Sequence, residues 1–259
     1  MRTAYHVLAS HYDPLGFIVP YTTRAKVLIQ QLWSKRRDWN DPDLPLELQD
    51  TWSTWECKLD HLSTISIPCC YLSAPVDDAD LEYDLHVFCD TSEWAYGAVA
   101  YLAVQKDGAI RTSFKMARSR VTPRRQQSIP RLELYAVLAG AQQAKLVETE
   151  MTLTLHQTTL WTDSMTVMEW FQSDSCRFKV FVGTCMSEIQ ELSSLALRGH
   201  PADDITRGKP LLSLVDGVEI TKCPACQQWR AQPKVPQQIY RQSTSDSSVR
   251  PFIQRHCKG

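Results

Sequence analysis

The apolar positions of this chain change period twice, and the changes divide it into three stretches. Leu48, Trp52, Trp55, Leu59 and Leu62 recur at spacings of four and three, the mark of an amphipathic helix. Val27, Leu28, Leu32 and Trp33 give a second helix, with Tyr21-Thr22-Thr23 as its expected cap. Between them Asp41-Pro42 and Leu44-Pro45 break the chain, and Pro14, Gly16 and Pro20 make the segment YDPLGFIVPY a structured turn. The first stretch, 1–79, is therefore expected to be helical and separate from the rest of the chain.

From residue 84 the pattern turns to strands. DLHVFCD alternates weakly, GAVAYLAV is a buried run, and AIRTSFKMA is a third strand, with Lys106-Asp107-Gly108 as the hairpin turn before it. Helical spacing returns at 131–147, where Leu134, Val137, Leu138, Ala141 and Ala144 share a face. Gly140 lies inside that helix, a cost of up to about 1 kcal/mol unless close packing requires it. A strand at 158–161, helices at 164–171 and 177–192, and a very short strand at 194–198 complete the stretch. Hairpin strands and then alternating strands and helices predict an α/β domain over 80–214, a mixed sheet flanked by helices. After Leu214 the periodicity dissolves into a Gln-, Ser- and Pro-rich segment, and 215–259 is expected to be a mostly disordered tail. No internal repeat is found.

Charge alters this picture. The net charge is −1, yet Arg111, Lys115, Arg118, Arg120, Arg124, Arg125 and Arg131 fall in one window without an acidic residue. That window carries +7 and leaves −8 to the rest. A charge run ordinarily marks a solvated face. This one is broken by Pro123, Ser128 and Pro130 and adjoins an acidic residue, Glu133, which suits contact with a phosphate backbone. Residues 1–12 hold no continuous apolar core and no window approaches the length of a membrane span, so neither a secretory leader nor a membrane span is expected. The nine cysteines are odd in number and scattered, so reduced thiols and an intracellular site, cytoplasmic or nuclear, are expected.

Four acids stand in distinctive contexts: Asp90 and Asp163 at the ends of apolar strands, Glu133 opening a helix, and Asp203 at an expected helix start. Each has an ordinary alternative, as a turn, a helix-dipole or a cap residue. Taken together, carboxylates converging from different elements make a cage for hard divalent cations. Two such ions about 3.5–4 Å apart can drive in-line displacement at a phosphodiester. Cys223 and Cys226 form a lone C-x-x-C, short of the four ligands of a closed zinc site. Asp90-Thr91-Ser92 resembles an aspartic peptidase loop but has Ser92 where glycine is needed.

YDPLGFIVPYTTRAKVLIQQLW, HVFCDTSEWAYGAVAY, ARSRVTPRRQQSIPRLELYAVLAGAQQAKL, LWTDSMTVMEW, CRFKVFVG and PADDITRGKPLL occur in the order found in polyproteins of BEL/Pao retrotransposons. The chain resembles the part running from the end of the reverse transcriptase into the ribonuclease H domain, a region often called a Pao retrotransposon peptidase. The likeness covers residues 1 to about 214. It implies a ribonuclease H-like fold, with 1–79 the end of the reverse transcriptase connection region. It assigns two Mg²⁺ or Mn²⁺ ions to Asp90, Glu133, Asp163 and Asp203, with Ser164 helping to place the substrate. The implied partner is an RNA–DNA hybrid or other nucleic acid, gripped by Arg118, Arg120, Arg124, Arg125 and Arg131. Three departures stand out. No Tyr-x-Asp-Asp pair occurs, so polymerisation is not expected. The segment between Leu192 and Asp203 is shorter than the family pattern, with His200 in place of Asn, which questions the cleavage activity. CPACQQWRAQP only faintly resembles the start of an integrase segment. Two alternatives stay open: a non-enzymatic transposon-derived fragment that keeps nucleic-acid binding, or a Pao-type aspartic peptidase.

Overall fold

A five-stranded sheet in the order β3-β2-β1-β4-β5 organises the molecule. The structure, a computed structural model, describes residues 2–34, 38–40, 44–67, 81–106, 109–173, 178–192 and 196–199. Asp203, His200, Cys223, Cys226, the turn residues Asp107 and Gly108, and the expected tail 215–259 lie outside them. Strands β1 (Glu82–Thr91), β2 (Ala95–Lys106) and β3 (Ala109–Val121) form an antiparallel meander. Helix α4 (Ile129–Glu150) then carries the chain back so that β4 (Gln157–Thr162) runs parallel to β1. Parallel neighbours need such a crossover. Helices α5 (Met165–Gln172) and α6 (Val180–Leu192) precede β5 (Ala196–Gly199), which is parallel to β4.

Alternation sends one side of each strand toward α4. Leu85, Val87, Cys89, Ala98, Ala100 and Leu160 pack there with Leu134, Val137, Ala141 and Ala144, and α6 adds Cys185, Met186 and Ile189. Gly140 is what lets α4 lie so close. A Cβ there would sit 2.3 Å from the Cys89 sulfur and 3.4 Å from a Val87 methyl, so the mid-helix glycine has the packing reason that its position requires. α4 is longer than its apolar stripe at both ends. It begins at Ile129, where Pro130 fits the first turn and Ser128 is the N-cap residue.

The other side of the sheet, with Phe88, Val99, Ala117 and Trp161, takes Val19 from the N-terminal helices α1 (Arg2–Ala9), α2 (Val19–Ser34) and α3 (Leu46–Glu56), after which comes a short 3₁₀ turn (Leu59–Thr64). These helices have their own core of Ala4, Tyr21, Ala25, Leu28, Ile29, Trp52 and Trp55. α2 starts two residues before the Tyr21-Thr22-Thr23 cap read from the sequence. The Asp13 carboxylate accepts the N–H groups of Gly16, Phe17 and Ile18 at 2.9–3.0 Å and so organises the entry. Thr22 and Thr23, inside the helix, donate back to the Val19 carbonyl.

The helices dock on the sheet through β3. The Ala117 N–H donates to the Leu15 carbonyl at 2.8 Å, Thr23 and Ser119 share a hydroxyl hydrogen bond of 2.5 Å, and the Gln30 amide donates to the Thr122 carbonyl. Gly16 has φ +81°, and a Cβ there would fall 1.9 Å from the Ala117 carbonyl oxygen, so only glycine fits the approach.

Candidate active site

The strand ends of β1 and β4 carry two of the four acids. The parallel ladder runs in register to the rung Phe88–Trp161, and Asp90 and Asp163 each lie two residues further on. Asp90 is still within β1, opposite Gly97 of β2, and is 4% exposed. Asp163 is one residue past β4 and is exposed.

Glu133 comes from the start of α4 and is half-buried. Its carboxylate accepts a short hydrogen bond from the Ser164 hydroxyl. Ser164 is itself fixed. It is the N-cap of α5, its oxygen accepts the Val167 N–H at 3.1 Å, its own N–H donates to the Thr162 hydroxyl at 3.2 Å, and it is 4% exposed. Ser164 therefore ties Glu133 to the residue beside Asp163. The structure brings this pair together and sets Asp90 and Asp163 level on neighbouring strands.

These residues offer carboxylate oxygens, the donors that Mg²⁺ and Mn²⁺ prefer. Their chemistry fits the implied ions. Among the described residues, however, no three His, Cys, Asp or Glu side chains are grouped to hold a metal. Cys89, the neighbour of Asp90 on β1, packs into the core beneath α4. Cys89 itself is fully buried, and burial pushes its thiol well above the ordinary range, with Asp90 adding to the shift. It is an inert packing group.

The basic window divides in two. Arg118 and Arg120 on β3 and Arg124 and Arg125 in the following loop are all exposed. Arg131 is half-buried instead. Its guanidinium lies 5.1 Å from the centre of the Phe181 ring and donates to the Gln127 side chain.

Sequence reasoning passed over Trp94. It lies in the β1–β2 turn, four residues after Asp90, and is 52% exposed. Ser92 builds that turn by accepting the N–H groups of Trp94 and Ala95 on its hydroxyl oxygen. The available signal was a large aromatic in a segment otherwise composed of turn residues.

The model of the Pao retrotransposon-like RNaseH-like domain family matches residues 1–164, and the chain belongs to that family. It has the ribonuclease H-like α/β fold of a retrotransposon type. Among solved structures, it is similar to the N-terminal RNase H domain of rv2228c from Mycobacterium tuberculosis, at 13% identity over 49% of this chain and 92% of that one, TM-score 0.27. LC11-RNase H1 in complex with an RNA/DNA hybrid is similar at 8% identity over 49% and 91%, TM-score 0.29. The foamy viral protease-reverse transcriptase in complex with dsDNA is similar at 11% identity over 78% of this chain and 42% of that one, TM-score 0.37. No curated protein matches the chain. No described helix is long and apolar enough to cross a membrane.

Proposed function

We propose that this chain is a divalent-metal-dependent endonuclease that cleaves the RNA strand of RNA–DNA hybrids. The observation that carries the reading is the level placement of Asp90 and Asp163 at the ends of neighbouring parallel strands, with Glu133 drawn to the same end by Ser164. Asp90, Glu133 and Asp163, joined by Asp203 from outside the described residues, would hold two Mg²⁺ or Mn²⁺ ions. Bound there, such ions supply an activated water and stabilise the leaving oxygen. The protein's own part is positional. Ser164 fixes the Glu133 carboxylate, and exposed Arg118, Arg120, Arg124 and Arg125 meet the phosphates of the hybrid. Selection of RNA would come through the 2′-hydroxyl. Residues 1–79 then represent the end of a reverse transcriptase connection region and 80–214 the nuclease domain.

A labelled hybrid incubated with Mg²⁺ or Mn²⁺ tests the reading, with Asp90→Asn as the blank. Slow, Asp90-dependent cleavage is the expected result, because the segment joining Leu192 to Asp203 is shorter than the family pattern. Equal cleavage by wild type and Asp90→Asn would overturn it. Binding without any cleavage would favour a second reading, a non-enzymatic nucleic-acid-binding protein, whose support is that no three-ligand group is assembled among the described residues.

A further inference from the structure

A groove of about 520 Å³ opens between α2, α3 and the β1–β2 turn. It is lined by Arg24, Asp50, Thr54, Lys58, Ser92 and Trp94, over the stacked rings of Tyr21 and Trp55. Two cations against one carboxylate leave the lining positive. Neither Arg24 nor Lys58 is ion-paired among the described residues. Trp94 presents a half-exposed indole at the groove, held by its backbone: its carbonyl accepts the Thr122 N–H at 2.9 Å.

Along the chain, the groove's β1–β2 turn adjoins both the carboxylate strand β1 and, through a backbone hydrogen bond, the start of the basic loop. Ser92, which lines the groove, is two residues beyond Asp90. Thr122, which anchors the Trp94 backbone, is two residues before the exposed Arg124. A positive groove with an aromatic platform, built on the turn that follows the Asp90 strand, matches a single nucleic-acid strand. Phosphates meet the cations, and a base stacks on the indole, a contact tolerant of sequence because every base has a π-face. A duplex lacks an unstacked base to offer.

We infer that this groove binds an unpaired nucleotide of a single-stranded segment flanking the hybrid, its base stacked on Trp94 and its phosphate met by Arg24 and Lys58. The inference rests on the proposed action on nucleic acid and adds a preference for hybrids with a single-stranded tail.

The test is fluorescence anisotropy of the full chain, in EDTA so that no strand is cut, with a blunt labelled hybrid and the same hybrid carrying a short single-stranded tail. Wild type should bind the tailed hybrid more tightly. Trp94→Ala should weaken tailed binding by roughly five-fold or more, the scale of one lost stacking contact, and leave blunt binding unchanged. Trp94→Phe should fall between. Arg24→Gln with Lys58→Gln, neither of them part of a hydrophobic core, should reduce the tail preference and its salt dependence together. Equal binding of blunt and tailed hybrids by wild type, or a tail preference untouched by these variants, would overturn the inference and leave the nuclease reading standing. Failure to bind either hybrid would sink both.

Discussion

The Ser164 hydroxyl donates to the Glu133 carboxylate while its oxygen accepts the Val167 N–H, so one side chain caps α5 and anchors the start of α4. Loss of an N-cap hydroxyl costs about 0.5–2 kcal/mol. Ser164→Ala should lose that much by urea denaturation and should also lose cleavage beyond what the stability change explains, since Glu133 is then unheld. Ser164→Thr should keep both. An alanine variant that is less stable but cleaves as well as wild type would reduce Ser164 to a cap.

Gly140 and Cys89 make a second testable pair. A Cβ at residue 140 would overlap the Cys89 sulfur, and overpacking a core costs about 1–3 kcal/mol. Gly140→Ala should destabilise on that scale. Combining it with Cys89→Ala should recover most of the loss, a coupling expected of residues in contact. Additive effects in the double variant would place the strain elsewhere.

Arg124 and Arg125 are exposed in the loop before α4. Replacing both with alanine should weaken hybrid binding and flatten the plot of log affinity against log salt by up to about two units of slope. An unchanged slope would return them to an ordinary solvated surface.

The buried Cys89 thiol gives a pH signature. Burial raises its folded-state pKa above the unfolded value near 8.5. A raised pKa contributes stability that is complete below about pH 8.5 and is lost as pH climbs toward the folded value. Between pH 8.5 and 10 wild type should therefore lose stability faster than Cys89→Ala, by up to about 1.4 kcal/mol per pH unit. Parallel curves would mean that the thiol does not titrate on unfolding.

The features legible in the sequence were those with a local cause. Period-two and helical patterns located β1, β2, β3, α4 and β4, and a glycine in mid-helix announced a close neighbour. What escaped depended on distant partners. Thr22 and Thr23 look like caps, but Asp13 organises the turn that enters the helix, and the hydroxyls serve the helix interior and, for Thr23, Ser119. The expectation that the helices stand apart missed Leu15 bonding to Ala117, because nothing near either residue encodes it. At the site, the strand-end acids stood out by context. The partnership of Glu133 with Ser164, 31 residues away, did not. Nor did Trp94, whose importance comes from the groove beside it.

The contact between Leu15 and Ala117 has a consequence for any attempt to shorten the protein. β3 is the outermost strand, and its free rim is the kind of surface on which copies of a chain adhere to one another. The turn around Gly16 sits on that rim like a seal. A fragment starting after residue 80 would keep every strand of the meander yet expose the rim, and it is expected to self-associate more readily than the longer chain. The N-terminal segment thus covers part of an edge that would otherwise be open to another strand.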